Sequence, residues 1–343
     1  MRILNWNIEH MNSWWPGGNQ DPPQMRNTFT GNSFSPPITD VPGLAQRVGN
    51  VISAIDPDIV TIQEGAGIPE MNDFFNRFVN GNNWEVLRGS GGGQALVTVA
   101  NMDTVSNFTQ GPEVVGSIDL NEPFNADINT DLILDEVAFA RKPQVTNATF
   151  NGHTFTIINN HLKSKFVQNG EALFNAGGES RMLFFDGALR ARRRISGEAF
   201  RIREFIDAIL GEDPNTLLIL AGDLNDGAGA DFFERNFLTH SVVDRIFGSI
   251  FNTDNQLRHV LFHGGSTDYT AQFFDFIVNE TRDLVLDHIG LSPAIYDQWN
   301  WTGRVAVAEY ENEIINLPNM HERDRLPSDH RPVVVNIDVP LLN

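Results

Sequence analysis

The stretch Leu217-Leu218-Ile219-Leu220-Ala221-Gly222-Asp223-Leu224-Asn225-Asp226 decides the fold. It opens as a short continuous apolar run, which is typical of a strand buried on both faces. It ends in two acids and an amide, and ligands of layered α/β proteins bind beyond the carboxyl ends of such strands. Because Asp, Asn and Gly also favour simple turns, the interpretation depends on how the other strands end.

Composition limits the classes of protein that need to be considered. The chain has 343 residues, 41% of them hydrophobic, which is enough for one large domain or two small ones. It contains no run of eighteen apolar residues, so no membrane span is expected. The absence of cysteine excludes disulfides and thiolate metal sites. A first strand from Arg2 leaves no room for a signal peptide, which predicts a cytoplasmic protein or a secreted mature form without its leader.

The formal net charge of −20 bears on the partners of the protein. It argues against non-specific affinity for nucleic acid or an anionic membrane. It does not exclude a nuclease, because a local basic patch or bound cations can attract a polynucleotide. The lysines are confined to three positions, which are Lys142, Lys163 and Lys165.

Strand and helix patterns alternate along the whole chain. Period-two alternation predicts a strand from Arg2 to Ile8, and helical spacing predicts a helix around Leu44–Ile55 that Pro57 stops. A long helix is predicted from about Ser180 to Leu210, and one strand from Asp283 to Leu291. We therefore predict a single α/β domain, residues 1–343, with two sheets packed face to face and helices outside. A monomer is expected, with loop insertions near residues 11–43, 166–179 and 300–327.

Two loops have alternative interpretations. Trp14 and Trp15 stand side by side, so one could contact a ligand, although a loop folded over its own tryptophans is the expected arrangement. In the acidic loop 119–135, three residues imitate the start of a calcium loop, namely Asp127, Asn129 and Asp131. Leu132 stands where the sharp turn of an EF-hand needs glycine, so that motif is excluded. A solvated acidic loop is expected, with a structural Ca²⁺ site as the alternative.

Polar groups end six of the predicted strands. They are Asn7 with Glu9, Glu64, His161, Asp223 with Asn225, Asp287, and Asp329 with His330. A buried charge costs roughly several kcal/mol unless it is paired or bound to metal, so six such ends predict convergence on one cleft. Carboxylate and amide oxygens suit Mg²⁺ or Mn²⁺ rather than zinc. With the histidines, this set fits the attack of water on phosphorus, and the chain has no Gly-x-Ser-x-Gly elbow.

Six motifs resemble the ordered set of the endonuclease/exonuclease/phosphatase superfamily. They are Asn5-Trp6-Asn7-Ile8-Glu9, Ile62-Gln63-Glu64, Asn160-His161-Leu162-Lys163-Ser164-Lys165, Gly222-Asp223-Leu224-Asn225, Leu286-Asp287-His288-Ile289 and Ser328-Asp329-His330-Arg331-Pro332. They cover nearly the whole chain and follow the order of that family. The resemblance implies a four-layer α-β-β-α sandwich and divalent-metal-dependent hydrolysis of phosphate esters.

The resemblance also implies roles for individual residues. Glu64 resembles the principal metal carboxylate, assisted by Asn7 and Asp329. Asp223 resembles the group that orients and deprotonates water, and Asn225 the amide that holds the phosphate or that water. His330 resembles the histidine that contacts the phosphate and is oriented by Asp287. His161 resembles the second histidine, a phosphate donor or general acid, and Gln94 stands near the position of the glutamate that supports it in pancreatic-type deoxyribonucleases, which would make His161 less basic.

The finer resemblance is to bacterial extracellular deoxyribonucleases, and it implies a DNA endonuclease in which Lys163 and Lys165 bind substrate. The alternatives are a phosphatase or phosphodiesterase for small or lipid esters and, from another class, a catalytically silent binding module. The arginines from Arg181 to Arg203 distinguish a DNA endonuclease from an enzyme for small esters. If they line a groove leading to the metal, DNA is expected, and if they pair with surface acids, a small phosphodiester is expected.

Overall fold

The structure is a computed structural model that describes residues 1–17, 21–32, 35–81, 83–89, 92, 94–128, 132–227, 231–237, 241–262, 268–315, 317 and 322–342. In chain order its strands are β1 (Arg2–Asn7), β2 (Ile59–Gly65), β3 (Trp84–Arg88), β4 (Ala95–Asn101), β5 (Val105–Gln110), β6 (Val114–Val115), β7 (Ile118–Asp119), β8 (Phe124–Ala126), β9 (Asp135–Val137), β10 (Gln144–Phe150), β11 (His153–His161), β12 (Leu217–Asp223), β13 (Arg258–His259), β14 (Ala271–Asp275), β15 (Glu280–Leu284), β16 (Asp287–Leu291), β17 (Trp301–Val305) and β18 (Val333–Ile337). Its helices are α1 (Val41–Ile55), α2 (Ile68–Phe78), α3 (Gly170–Ala176), α4 (Gly178–Glu212), α5 (Phe232–Phe237), α6 (Val242–Phe247), α7 (Pro293–Tyr296), α8 (Val307–Asn312) and α9 (Glu322–Arg325).

Two six-stranded sheets form the two inner layers. Their strand orders are β17-β18-β1-β2-β4-β3 and β13-β16-β12-β11-β10-β5. Both are mixed, because β1 and β2 run parallel, as do β11 and β12, while their outer neighbours run antiparallel. Helices α1 and α2 cover the first sheet, and α4 and α6 cover the second. The predicted four-layer sandwich is confirmed.

The space between the sheets changes from apolar to polar along the strands. In β1, Ile3 packs in the core between the sheets, and period-two alternation places Asn5 and Asn7 on the same face. The amide of Gln63 donates hydrogen bonds to Asn5 at 2.9 Å and to Asn159 of the second sheet at 2.8 Å. This buried amide layer connects the two sheets directly beneath the edge at which Asn7 lies.

Several predicted elements are confirmed and one is wrong. Helix α1 ends before Pro57 and α4 covers the predicted long helix, while Trp14 and Trp15 are both buried. The predicted strand from Asp283 to Leu291 is two strands, because the chain leaves the β14–β15 hairpin and enters the second sheet at Asp287. The Thr270 hydroxyl accepts hydrogen bonds from two successive backbone amides there and stabilises this change of partner. No helix among the described residues is long and apolar enough to span a membrane.

Gly222 lies where β12 pairs closely with β11. A Cβ at this position would lie 2.2 Å from the backbone oxygen of Asn160. Gly222→Ala must therefore separate the two strands beneath Asp223, and we expect a loss of about 1–3 kcal/mol in the free energy of unfolding, measured by urea denaturation. Gly211→Ala in α4 is the matched control, because its new Cβ meets no described atom within 4 Å. This variant should raise the free energy of unfolding by at most about 1 kcal/mol. A Gly222→Ala protein as stable as the wild type would contradict this account of the strand contact.

Candidate active site

One edge of the sandwich collects the predicted residues. Asn7 ends β1, and His161 and Asp223 end β11 and β12, where they are register partners. Asp287 was expected at the end of a strand but begins β16, and antiparallel pairing places it opposite Asp223. His330 precedes β18, which runs antiparallel to β1. The start of an antiparallel strand and the end of its neighbour meet at the same edge, so all these side chains reach one place.

Glu64 reaches the site because β2 contains a bulge. Simple alternation would send Glu64 to the face of Ile62, which packs under the helices. Instead Glu64 has φ 61°, and the pairing of β2 with β4 shifts register between Ile62 and Gly65. Bulges re-aim side chains in this way. Glu64 Oε1 lies 4.0 Å from His161 Nε2, and Oε2 accepts a hydrogen bond of 2.8 Å from the backbone amide of His10.

Asp223 lies at the centre of the site. Its Oδ2 accepts a hydrogen bond of 2.9 Å from Asn7 Nδ2 and lies 3.4 Å from His161 Nε2 and 4.0 Å from His330 Nε2. Burial raises the pKa of Asp223 to about 6; the charge of His330 opposes this shift, and that of Asp287 adds to it. A buried carboxylate with a raised pKa and hydrogen-bonding neighbours is suited to take a proton from a positioned water.

Asn225 follows Asp223 in the left-handed conformation, with φ 50°. Its backbone amide donates to Asp223 Oδ1 at 2.8 Å, and its side-chain Nδ2 donates to the backbone oxygen of Leu162 at 3.0 Å. The turn after β12 therefore connects the Asp223 carboxylate to the end of β11. In the described residues the Asn225 amide nitrogen is used internally, so its carbonyl oxygen is the atom left to face a ligand.

His330 is held in one orientation by Asp287. The distance from His330 Nδ1 to Asp287 Oδ2 is 2.7 Å, and both side chains are buried. Burial alone lowers the pKa of His330, but the carboxylates of Asp287, Asp329 and Asp223 outweigh it and raise that pKa well above its ordinary value. These carboxylates therefore favour the protonated form of His330, whose Nε2 is directed away from Asp287.

His161 has the opposite protonation preference. Burial, followed by the positive charge of Arg141, lowers the pKa of His161 well below its ordinary value. Arg141 Nε donates to the backbone oxygen of His161 at 2.9 Å, and its Nη1 donates to Gln94 Oε1 at 2.7 Å. Gln94 is connected to His161 through Arg141, and His161 Nδ1 has no hydrogen-bond partner among the described residues. The lowered pKa of His161 has the direction expected for a less basic imidazole, but its causes are burial and Arg141. Arg141 is a site residue that no motif indicated.

The predicted metal ligands fit a hard cation. Asn7 donates its Nδ2 hydrogen to Asp223, which leaves Asn7 Oδ1 buried and without a hydrogen-bond partner among the described residues. Within those residues no three His, Asp or Glu side chains are arranged to hold a metal by themselves. Mg²⁺ usually takes only one or two protein carboxylates and completes its shell with other oxygens. The set of Asn7, Glu64 and Asp329 therefore remains a chemically suitable one.

Glu9 is a further acid of this set that the sequence roles left out. Burial, then the charge of Asp329 and more weakly that of Glu64, raise the pKa of Glu9 to about 7, against the effect of Arg323. Arg323 Nε lies 3.2 Å from Glu9 Oε2. The Glu9 carboxylate is thus close enough to Asp329 and Glu64 for their charges to act on it, at the place where the cation is predicted. The signal was present in the sequence, because Glu9 closes the first motif.

The predicted substrate lysines differ in their environments. Lys163 is half-buried, its Nζ donates to the backbone oxygen of Ser164 at 3.0 Å, and burial and Arg141 lower its pKa. The Lys165 ammonium is paired with the carboxylates of Asp226 and Glu234. The structure therefore shows a local ion-pair network around Lys165 in place of a free cation facing the cleft.

The arginines of α4 are largely paired with acids. Four of the seven between Arg181 and Arg203 form ion pairs, namely Arg192 with Asp231, Arg194 with Glu198, Arg201 with Glu204 and Arg203 with Asp207. Away from the site, His259 Nε2 lies 2.7 Å from His288 Nδ1 in the core. His240 and His263, with Asn129 and Asp131 of the calcium-like loop, lie outside the described residues.

The arrangement is that of the endonuclease/exonuclease/phosphatase fold, and comparison with solved structures confirms the resemblance at the level of the fold. D. rerio TDP2 carrying 14 humanising mutations matches with 14% identity, covering 99% of each chain, at a TM-score of 0.50. Truncated Caenorhabditis elegans TDP2 matches with 11% identity over 98% of this chain and 96% of that one, also at 0.50. The endonuclease/exonuclease/phosphatase from Bacteroides vulgatus matches with 14% identity over 99% and 98%, at 0.50. No family model and no curated protein matches the chain.

Proposed function

We propose that the protein is a divalent-metal-dependent hydrolase of phosphoric esters. The observation that carries the proposal is the position of Asp223, whose Oδ2 is close to Asn7, His161 and His330 at once. Asn7, Glu64 and Asp329 would hold Mg²⁺ or Mn²⁺, and Glu9 lies beside them. A bound divalent cation would supply Lewis-acid stabilisation of the charge that develops on the phosphoryl oxygens.

The side chains of this chain would divide the remaining work. Asp223 would orient the attacking water and take its proton. His330, positively charged and fixed by Asp287, would donate from Nε2 to a phosphoryl oxygen. His161 would act as a neutral hydrogen-bond donor, because its lowered pKa makes the imidazolium unfavourable. Asn225 would contact the phosphate or the water through its amide oxygen.

The presence of the full set of candidate catalytic side chains makes a silent binding module the weaker alternative. A binding module gains nothing from a buried carboxylate between two histidines, because desolvating these charged groups lowers stability. Asp223 is 1% exposed and Asp287 is fully buried, and each hydrogen-bonds or faces a second site residue. The arrangement is therefore better explained by catalysis than by binding alone.

Ion pairing in α4 favours a small ester over DNA as the substrate. A polynucleotide needs cations beyond the reaction centre, because its affinity comes largely from phosphate contacts. Four of the seven arginines proposed for this role are paired with acids, and Lys165 is paired with two. In a chain with a net charge of −20, we propose a small phosphodiester or phosphomonoester, with a DNA endonuclease as the second candidate on the resemblance of the His161–Lys165 motif.

An activity panel tests the reaction class. The purified protein, with Mg²⁺ or Mn²⁺, would be given plasmid, single-stranded DNA, bis(4-nitrophenyl) phosphate and 4-nitrophenyl phosphate. We expect hydrolysis of at least one chromogenic ester and weaker cleavage of the polynucleotides. Absence of hydrolysis of all four with both metals would contradict the proposed function.

Replacing Lys163 with alanine distinguishes the two substrate classes. If the substrate is a small ester, the rate should fall by a similar factor for plasmid and for bis(4-nitrophenyl) phosphate, and it should depend little on salt. If the substrate is DNA, plasmid cleavage should fall more, and the logarithm of its rate should lose roughly 0.9 of a unit of slope against the logarithm of salt for each phosphate contact removed.

Lys142→Ala is the matched control for this comparison, because the Lys142 ammonium is already paired with Glu113 and Asn121. It should change neither rate. Lys165→Ala is the less informative variant, since it leaves the carboxylates of Asp226 and Glu234 without their cation and should lower stability. A plasmid-selective loss in Lys163→Ala with no loss in Lys142→Ala would favour DNA and contradict the small-ester assignment.

A further inference from the structure

A cavity of about 520 Å³ lies beside the site, beneath the loop that connects β1 to α1. Its wall includes His10, Trp15, Arg26, Phe29 and Gln94. This volume falls within the range of small-molecule pockets, about 300–1,000 Å³. The cavity combines aromatic surface with amides, hydroxyls and one cation, which is the composition expected for a polar ligand that carries a ring.

The loop that forms this first-loop cavity is anchored at several points. The backbone amide of Arg26 donates to the Trp14 oxygen at 2.8 Å, and Phe29 and Ile38 exchange a pair of backbone hydrogen bonds of 2.8 Å. Thr39 Oγ1 donates to Asp324 Oδ2, also at 2.8 Å. The cavity wall is therefore built by the fold and precedes any ligand.

Two wall residues connect the cavity to the reaction centre. His10 Nδ1 lies 3.1 Å from Glu64 Oε2, the carboxylate proposed for the metal. Gln94 accepts from Arg141, which in turn donates to the backbone oxygen of His161. The cavity thus adjoins the site on the side of Glu64 and of His161, where a group attached to a bound phosphate would extend.

Arg26 distinguishes this cavity from other basic positions near the site. In the described part of the chain its side chain has no ion pair and no hydrogen bond, and its Nε is buried without a partner. Its guanidinium lies 5.6 Å from the ring centroid of Phe29, within the range of a cation–π contact. By contrast, the Lys165 ammonium and the Arg192 guanidinium are both paired with carboxylates. In an acidic chain, a cation left unpaired in a cavity is available for an anionic ligand.

We infer that the first-loop cavity is a specificity site for the alcohol portion of a small phosphate ester that bears a ring and a second anionic group. The inference rests on the proposed hydrolase function and names its substrate class. The ring would pack against Phe29 and the small part of Trp15 that faces the cavity, and the anionic substituent would bind Arg26. Arginine suits a carboxylate or phosphate because its planar fork can donate two hydrogen bonds at once.

A matched pair of chromogenic diesters tests the inference. They are 4-nitrophenyl 4-carboxybenzyl phosphate and its neutral amide, 4-nitrophenyl 4-carbamoylbenzyl phosphate. In both, water forms a new bond to phosphorus, the bond to the 4-nitrophenyl oxygen breaks, and 4-nitrophenolate is measured by absorbance. We expect kcat/KM to be about tenfold higher for the carboxylate, the ratio that corresponds to roughly 1.4 kcal/mol.

Variants at position 26 assign this preference to Arg26. Arg26→Ala and Arg26→Gln should bring the ratio of the two kcat/KM values to about one, while Arg26→Lys keeps part of it. Arg304→Ala is the matched control, because Arg304 of β17 is ion-paired with Glu309 of α8. This variant should leave the ratio unchanged. Using a ratio within each variant separates a lost contact from a general loss of folded enzyme.

The outcomes separate this inference from the proposed function. Hydrolysis of both esters with a wild-type ratio near one, or with a ratio that survives Arg26→Ala and Arg26→Gln, overturns the inference and leaves the hydrolase assignment standing. Calorimetric binding of 4-carboxybenzyl phosphate that requires Arg26, without hydrolysis of either ester, supports the cavity and contradicts the proposed function. Neither binding nor hydrolysis overturns both.

Discussion

Replacing Asp223 with asparagine should lower kcat by about 10²- to 10⁴-fold, the contribution of a positioned general base. Asparagine keeps the shape, but its single carbonyl oxygen can accept from Asn7 Nδ2 or from the Asn225 backbone amide and not from both, and it cannot take a proton. Burial raises the pKa of Asp223 to about 6, so above that pH the folded protein holds a carboxylate in an environment that disfavours its charge. The neutral amide removes that cost but loses one of the two hydrogen bonds, so the melting temperature at neutral pH should change little.

Steady-state kinetics on bis(4-nitrophenyl) phosphate and thermal denaturation together test this prediction. Asp226→Asn is the contrasting control, because Asp226 lies in the same stretch and is equally buried, but it pairs with Lys165 and accepts from the backbone amide of Val242. That variant should lose stability, whereas Asp223→Asn should lose turnover. An Asp223→Asn protein with near-normal kcat would show that the base lies elsewhere.

Removing the divalent metal should abolish activity, and Glu64→Gln should raise the metal concentration that activity requires. Glutamine can still accept the hydrogen bond from the His10 amide, so the fold of the bulge should persist while the ligand charge is lost. Residues that only orient a metal ligand already contribute about 10- to 100-fold in metal affinity. We therefore expect the Mn²⁺ concentration for half-maximal activity to rise by at least about 100-fold. Glu70→Gln, in the first turn of α2, is the control.

Patterns that depend on one strand at a time predicted much of the fold. The apolar run before Asp223 and the alternation after Arg2 indicate buried strands, and the structure has both as central strands of the two sheets. Pro57 ends α1 through a backbone constraint of the proline ring that can be predicted from the sequence alone. The turn of the chain between Leu284 and Asp287 was missed, because the hydroxyl that stabilises it belongs to Thr270, in another segment.

Site residues were predictable where they close a strand and were missed where they act through other residues. His161 and Asp223 end strands that pair side by side, and Asn7 ends a strand of the facing sheet, so their convergence follows from the strand order and from the packing of the two sheets. Arg141 reaches the site from outside any motif, through hydrogen bonds to backbone oxygens.

Charge pairing across the chain could not be predicted from local pattern either. Lys165 is ion-paired with Asp226 and Glu234, which are 61 and 69 positions away in the sequence. That Arg26 has no ion pair among the described residues depends on which acids approach its loop. Both features bear on the substrate class, which is why the sequence left DNA and small esters open.

We propose that the Asn7, Glu64 and Asp329 oxygens hold a divalent cation that phosphate-ester hydrolysis requires. The most direct measurement is a titration of Mg²⁺ and of Mn²⁺ into chelator-treated protein, wild type and Glu64→Gln side by side, with hydrolysis of bis(4-nitrophenyl) phosphate and 4-nitrophenyl phosphate followed by absorbance. We expect no activity before metal is added, full recovery in the wild type, and a titration curve shifted by at least about 100-fold in Glu64→Gln. Full wild-type activity in excess chelator, or superimposable titration curves for the two proteins, would contradict it.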